Sequence, residues 1–187
     1  MTVKITSKEL LIALRNKFRD AAVLAEVTMD DESELERVRT AYVKIYPHMM
    51  AEYEKDGLTC DAELPNDYRV NDAITRRRID ALIFETKTRT AVEIKISRAD
   101  FFRDTELKRG AWLKHTHRFA YLVPKGLVKP EEVPDGCGLW EYENGIITIT
   151  KRAKINKDAK EFPASMTKYF AWRAFAAERK LESGRRR

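Results

Sequence analysis

Residues 76–100 read RRRIDALIFETKTRTAVEIKISRAD, and their period decides the fold. Ile79, Ala81 and Ile83 alternate with Arg78, Asp80 and Leu82; Val92, Ile94 and Ile96 alternate with Glu93 and Lys95. A period of two belongs to a strand, whose successive side chains point to opposite faces. The polar stretch Glu85-Thr86-Lys87-Thr88-Arg89 between the two runs predicts a β-hairpin with one apolar face. With the turn centred near Lys87 and Thr88, paired positions sum to about 175, which sets Asp80 opposite Lys95. Glu93 then lies two residues along the same face.

Outward from the hairpin, other elements follow. Thr6-Ser7-Lys8-Glu9 predicts a capping box, with Leu11, Leu14, Phe18 and Ala21 at helical spacing behind it. A second helix is expected from Asp30/Asp31, with a stripe of Leu35, Val38, Tyr42, Ile45 and Met49 that Pro47 interrupts. Residues 58–72 read as irregular and turn-rich. After the hairpin, Ser97 should cap a helix running to about Gly110. Phe119–Val123, closed by Pro124, predicts a buried strand, and residues 138–142 and 146–149 a hairpin around Glu143-Asn144-Gly145. A last helix is expected from Ser165, carrying Met166, Phe170 and Trp172. This order predicts one α/β domain over residues 1–182, with 28–72 as a helical or irregular insertion before the core hairpin and 183–187 as a basic tail.

Composition narrows the function classes. At 187 residues and 43% hydrophobic content the chain can bury a proper core. Its apolar runs reach about five residues, far short of the roughly 20 of a membrane span. The N-terminal MTVKITSKELLIALRNKF is charged every few residues, unlike a secretory signal, and the expected compartment is the cytoplasm. Cys60 and Cys137 are too few for a disulfide framework or a zinc site. Residues 1–90 carry 15 basic and 17 acidic side chains, whereas residues 91–187 carry 21 and 13. A basic C-terminal half is the electrostatic footprint of a polyanion partner such as DNA.

The polar face of the hairpin holds the candidate chemistry. Asp80 and Glu93 on one face repel unless a cation lies between them, and hard carboxylate oxygens suit Mg²⁺ or Mn²⁺. Lys95 beside them is placed to orient or deprotonate an attacking water, or to stabilise charge on a phosphate. A cross-strand salt bridge between Asp80 and Lys95 is the plain alternative.

Asp80, Glu93-x-Lys95 across a hairpin, and a following helix together resemble the core of the PD-(D/E)XK nuclease superfamily. Arg76–Leu82, Val92–Phe101, Arg118–Pro124 and Pro134–Leu139 are similar to MmcB-like DNA-repair proteins, including their phage-encoded relatives; the likeness covers about residues 76–140. It implies a restriction-endonuclease-like fold, a central mixed β-sheet flanked by helices. It implies an Mg²⁺- or Mn²⁺-dependent deoxyribonuclease of DNA repair, recombination or phage DNA metabolism. Asp80, Glu93 and the Ile94 backbone carbonyl would be metal ligands and Lys95 the catalytic lysine, with Glu63 or Glu26 as an additional upstream acid. A catalytically silent DNA-binding or scaffold protein of the same fold is the first rival. A protein–protein interaction domain is the second. The oligomeric state stays open, a homodimer included.

Arg78, Arg98, Arg103, Lys108, Arg109 and Lys114 are candidate DNA-backbone contacts, against a solvated face balanced by Asp100, Asp104 and Glu106. His115-x-His117 lacks the third ligand that zinc needs, and His117 is expected at the surface. Trp112, Trp140 and Trp172 are expected to pack in or against the core rather than stack on bases.

Overall fold

The computed structural model describes residues 5–31 and 75–185. Contacts divide the chain into two compact units, residues 1–27 with 79–187, and residues 28–78. Of the second unit only its two ends are described, where Arg76 pairs with Asp30 and Arg77 with Asp31. The expected helix from Asp30 onward lies mostly outside the described residues; Asp30 and Asp31 themselves end a strand.

The first unit opens with α1 (Ser7–Lys17), capped as expected: Thr6 accepts from the Glu9 amide, and the Glu9 carboxylate accepts from the Thr6 amide at 2.7 Å. Strand β1 (Ala22–Asp31) follows, where the sequence pattern predicts none. Glu26 sits within it at φ 50°, which breaks the alternation by which strands are read. The hairpin is β2 (Thr75–Phe84) and β3 (Arg89–Ile94). Two short helices, α2 (Arg98–Phe102) and α3 (Glu106–Leu113), replace the expected single helix. Ser97 caps the first as predicted, and Thr105 caps the second by accepting from the Lys108 amide. Strand β4 (Arg118–Pro124) leads through a 3-10 turn at Pro130–Glu132 to the hairpin of β5 (Gly138–Glu143) and β6 (Ile146–Lys151). Asn144 and Gly145 both take positive φ there, as a two-residue primed turn requires. The C-terminal helix α4 spans Ala164–Arg185.

The six strands form one sheet in sequence order. β2–β3 and β5–β6 are antiparallel, whereas β3–β4 and β4–β5 are parallel, so the sheet is mixed and the class is α/β. One face carries Ala81, Ile83, Val92, Ile94, Ala120, Leu122, Trp140 and Ile147, which pack on Leu10, Ala13 and Leu14 of α1. At roughly 1.5–3 kcal/mol per buried large apolar side chain, this layer holds the sheet to its helix. The opposite face carries Asp80, Ala91, Glu93 and Tyr121, and it is here that α2 contributes Phe101 against Tyr121, ring centroids 4.9 Å apart. Apolar side chains are therefore buried on both faces, and the polar residues of the hairpin sit among Leu82, Ala91 and Phe119 on the second.

Candidate active site

The hairpin register sets the geometry. Ala81 pairs with Val92 and Phe84 with Arg89, so paired positions sum to 173 rather than the expected 175. The turn closes one residue earlier, over Glu85–Thr88, where the Glu85 amide donates to the Thr88 carbonyl at 2.9 Å. Continued by one position, this register sets Asp80 across from Glu93, not Lys95. A slip of two keeps every side chain on its face, so Asp80, Glu93 and Lys95 still share one.

Asp80 is half-buried and tied down: its Oδ2 accepts from the Ile94 amide at 2.8 Å. That bond joins two of the predicted ligand residues. Glu93 is 3% exposed. Its Oε1 accepts from Lys108 Nζ and stands 3.0 Å from Lys95 Nζ, while its Oε2 is buried with no hydrogen-bond partner. Burial pushes the Glu93 carboxyl above its usual range and the charge of Asp80 adds to this; Lys108 and Lys95 oppose it. Lys95 does not meet Asp80 as the salt-bridge alternative required. It lies 3.7 Å from Asp104 Oδ1 and 3.9 Å from Asp100 Oδ1. Burial alone would lower its pKa, but Glu93, Asp104 and Asp100 outweigh it and the pKa is raised. Lys95 therefore presents an ammonium rather than a free base.

Two members of this network escape a reading of the sequence. Asp104, expected on a solvated helix face, has a side chain only 2% exposed. Its Oδ2 accepts from Tyr121 OH at 2.5 Å and from Arg109 Nη1 at 3.3 Å. Burial, reinforced by Asp104, holds the Tyr121 phenol well above its usual pKa. The signal was present: Tyr121 in an apolar strand needs a partner for its hydroxyl, and Asp104-Thr105 ahead of Glu106 carries the residue types of a helix start. The break between α2 and α3 brings Asp104 inward. It also turns Lys108 and Arg109, expected on the DNA backbone, toward Glu93 and Asp104.

The other candidates lie elsewhere. Arg98 forms a two-pronged ion pair with Glu132 and also donates to the Leu127 carbonyl at 2.9 Å, holding a loop. Arg103 is exposed beside Asp100, Arg78 is exposed on β2, and Lys114 is the C-cap of α3. Glu26 is exposed on β1, where its carbonyl accepts from Tyr169; Glu63 lies outside the described residues. His115 is buried and bonded to the Glu161 carbonyl, and His117 is half-buried and accepts from the Arg89 amide through Nδ1, so the two nitrogens do different work. Trp112 and Trp140 are buried as expected; Trp172 is 67% exposed, against expectation. Cys137 is a buried free thiol.

Among the described residues no group of three or more His, Cys, Asp and Glu side chains is arranged to hold a metal ion. Two carboxylates on adjacent strands, one with a buried oxygen lacking a partner, nevertheless form a hard-oxygen donor pair that fits a small divalent cation. Protein-family models return no match to the chain, and neither do curated proteins. A solved structure described as the SPO1766 protein of unknown function from Silicibacter pomeroyi is similar at 27% identity. That similarity covers 58% of this chain and 70% of the other, with a TM-score of 0.44. No helix among the described residues is long and apolar enough to cross a membrane.

Proposed function

We propose that this chain is a metal-dependent deoxyribonuclease with a restriction-endonuclease-like form of the α/β fold, acting in DNA repair, recombination or phage DNA metabolism. The observation that carries this reading is Glu93 Oε2: a buried carboxylate oxygen without a partner, on the residue across the hairpin from Asp80. Leaving such a group unsatisfied costs about 1–3 kcal/mol, more if charged, and a cation would remove that cost. Asp80 and Glu93, with the Ile94 carbonyl, would hold Mg²⁺ or Mn²⁺. Bound there, the ion supplies Lewis acidity toward a phosphate oxygen and lowers the pKa of water.

The chain's own residues supply the rest. The Ile94 amide orients Asp80. Lys95 sets an ammonium beside Glu93, suited to stabilise charge that develops on a phosphate. Asp104, gripped by Tyr121 and Arg109, keeps Lys95 in place from the other side. The test is incubation with single-stranded, duplex and branched DNA in Mg²⁺, Mn²⁺ or EDTA. Cleavage is expected with either ion, none with EDTA, and none by Asp80→Asn.

The position of Lys108 favours a second reading. Its ammonium already neutralises Glu93 through Oε1, as suits a silent DNA-binding protein of the same fold. DNA bound equally with and without metal, and never cut, would select that reading.

A further inference from the structure

Helix α4 is attached to the body along one side only. Met166 is buried, Phe170 meets Phe84 at 5.4 Å between centroids, and Arg173 donates to the Ala25 carbonyl at 2.8 Å. At about 3.6 residues per turn, Lys168, Trp172, Phe175 and Arg179 fall in a single stripe nearly half a turn from that attachment, on the opposite side of the helix. All four are exposed, Trp172 by 67% and Phe175 by 54%. The Arg179 guanidinium lies 5.8 Å from the Phe175 ring centroid. An isolated exposed apolar residue needs no explanation, but two large aromatics bracketed by cations on one stripe do.

We propose that this stripe binds unpaired nucleic-acid bases, with Trp172 and Phe175 as the stacking platform and Lys168 and Arg179 as phosphate contacts. Residues 164–187 carry seven basic and two acidic side chains, which complements a polyanion. That charge repels a second copy of the same helix. Lys168 and Arg179 lie within the aromatic stripe rather than beside it, so the stripe lacks the continuous apolar face with which an amphipathic helix enters a bilayer. Aromatic faces interleaved with cations match a single strand, whose bases are free to stack, whereas duplex bases already stack on one another. The inference rests on the nuclease reading only in taking a nucleic acid as substrate; it adds a preference for substrates with a single-stranded segment.

The test uses the full chain in EDTA, so that nothing is cut, with an oligothymidylate of about 12 nucleotides and a duplex as probes. Trp112 and Trp140 are buried, so quenching of tryptophan emission reports Trp172. Oligothymidylate should quench the wild type, and Trp172→Phe should abolish most of that signal. Trp172→Ala with Phe175→Ala should weaken oligothymidylate binding at least about tenfold while changing duplex binding less than about twofold. Unchanged circular dichroism would show that the variant folds. Binding without quenching, or equal loss for both probes, overturns the proposal. So does quenching by anionic phospholipid vesicles but not by oligothymidylate, or self-association that the double substitution removes. Wild-type cleavage in Mn²⁺ combined with unaltered oligothymidylate binding by the double variant would sink this inference and leave the nuclease reading standing. Loss of binding without cleavage in any metal would do the reverse.

Discussion

Glu93 and Lys95 project from the same face at the end of β3, with Nζ 3.0 Å from Oε1 and both side chains less than a tenth exposed. Lys95 is thus a structural partner as well as a catalytic candidate, unlike a lysine on an open strand face. Lys95→Ala should lower turnover by about 10²-fold or more. It should also lower stability by about 1–3 kcal/mol, because Glu93 and Asp104 each lose a buried cation but keep Lys108 and Arg109. Single-turnover cleavage and metal-free urea denaturation measure the two effects, and added Mn²⁺ should not restore the turnover.

Metal binding to Asp80 and Glu93 should appear as stability. At an Mn²⁺ concentration 100 times its Kd, linkage adds about 2.7 kcal/mol, readable as a rise in Tm. Asp80→Asn should abolish most of that rise while leaving the metal-free Tm within a few degrees. An equal rise in both proteins would locate the ion elsewhere.

Lys108 competes with any cation for Glu93. Replacing it with Met should tighten Mn²⁺ binding on the order of tenfold, since a positive charge beside the site is removed. Calorimetric titration of wild type and Lys108→Met checks this, and weaker binding by the variant would show that Lys108 supports the site instead.

His115 predicts a dependence of stability on pH. Its ring packs on Phe162 and its Nδ1 lies 2.7 Å from the Glu161 carbonyl, as a neutral donor tautomer would. Burial, with Lys114 and Arg89 nearby, holds its pKa below the usual 6.5 despite that bond. Its contribution is therefore complete above pH 6.5 and is lost as the pH falls toward the folded-state value, because the unfolded chain takes up a proton first. Urea midpoints measured from pH 8 to pH 5 should decline over that window, and less so in His115→Gln.

Thr6→Ala removes the acceptor of the α1 capping box and should destabilise the fold by about 1 kcal/mol. Because α1 covers one face of the sheet, the loss should appear in global unfolding measured by urea rather than as local fraying.

Features that depend on neighbours along the chain are legible in the residues alone. Alternation over 79–83 and 92–94 set the hairpin strands and put Asp80, Glu93 and Lys95 on one face. Thr6 and Ser97 announced their helices, and Asn144-Gly145 its turn, since caps and turns are decided by side chains within a few residues of the backbone they satisfy. Tertiary structure decided the remainder. The hairpin register slid by two because one turn position changes the pairing without changing the face. β1 stayed hidden because Glu26 breaks its period. Asp104, Lys108 and Arg109 read as a solvated helix face until the helix divided and Tyr121, on a strand beyond it, supplied an inward partner. Trp172 carries an aromatic's composition signal for burial, but burial depends on what packs against a surface. The contacts of α4 run through Met166, Phe170 and Arg173, and they leave Trp172 in solvent.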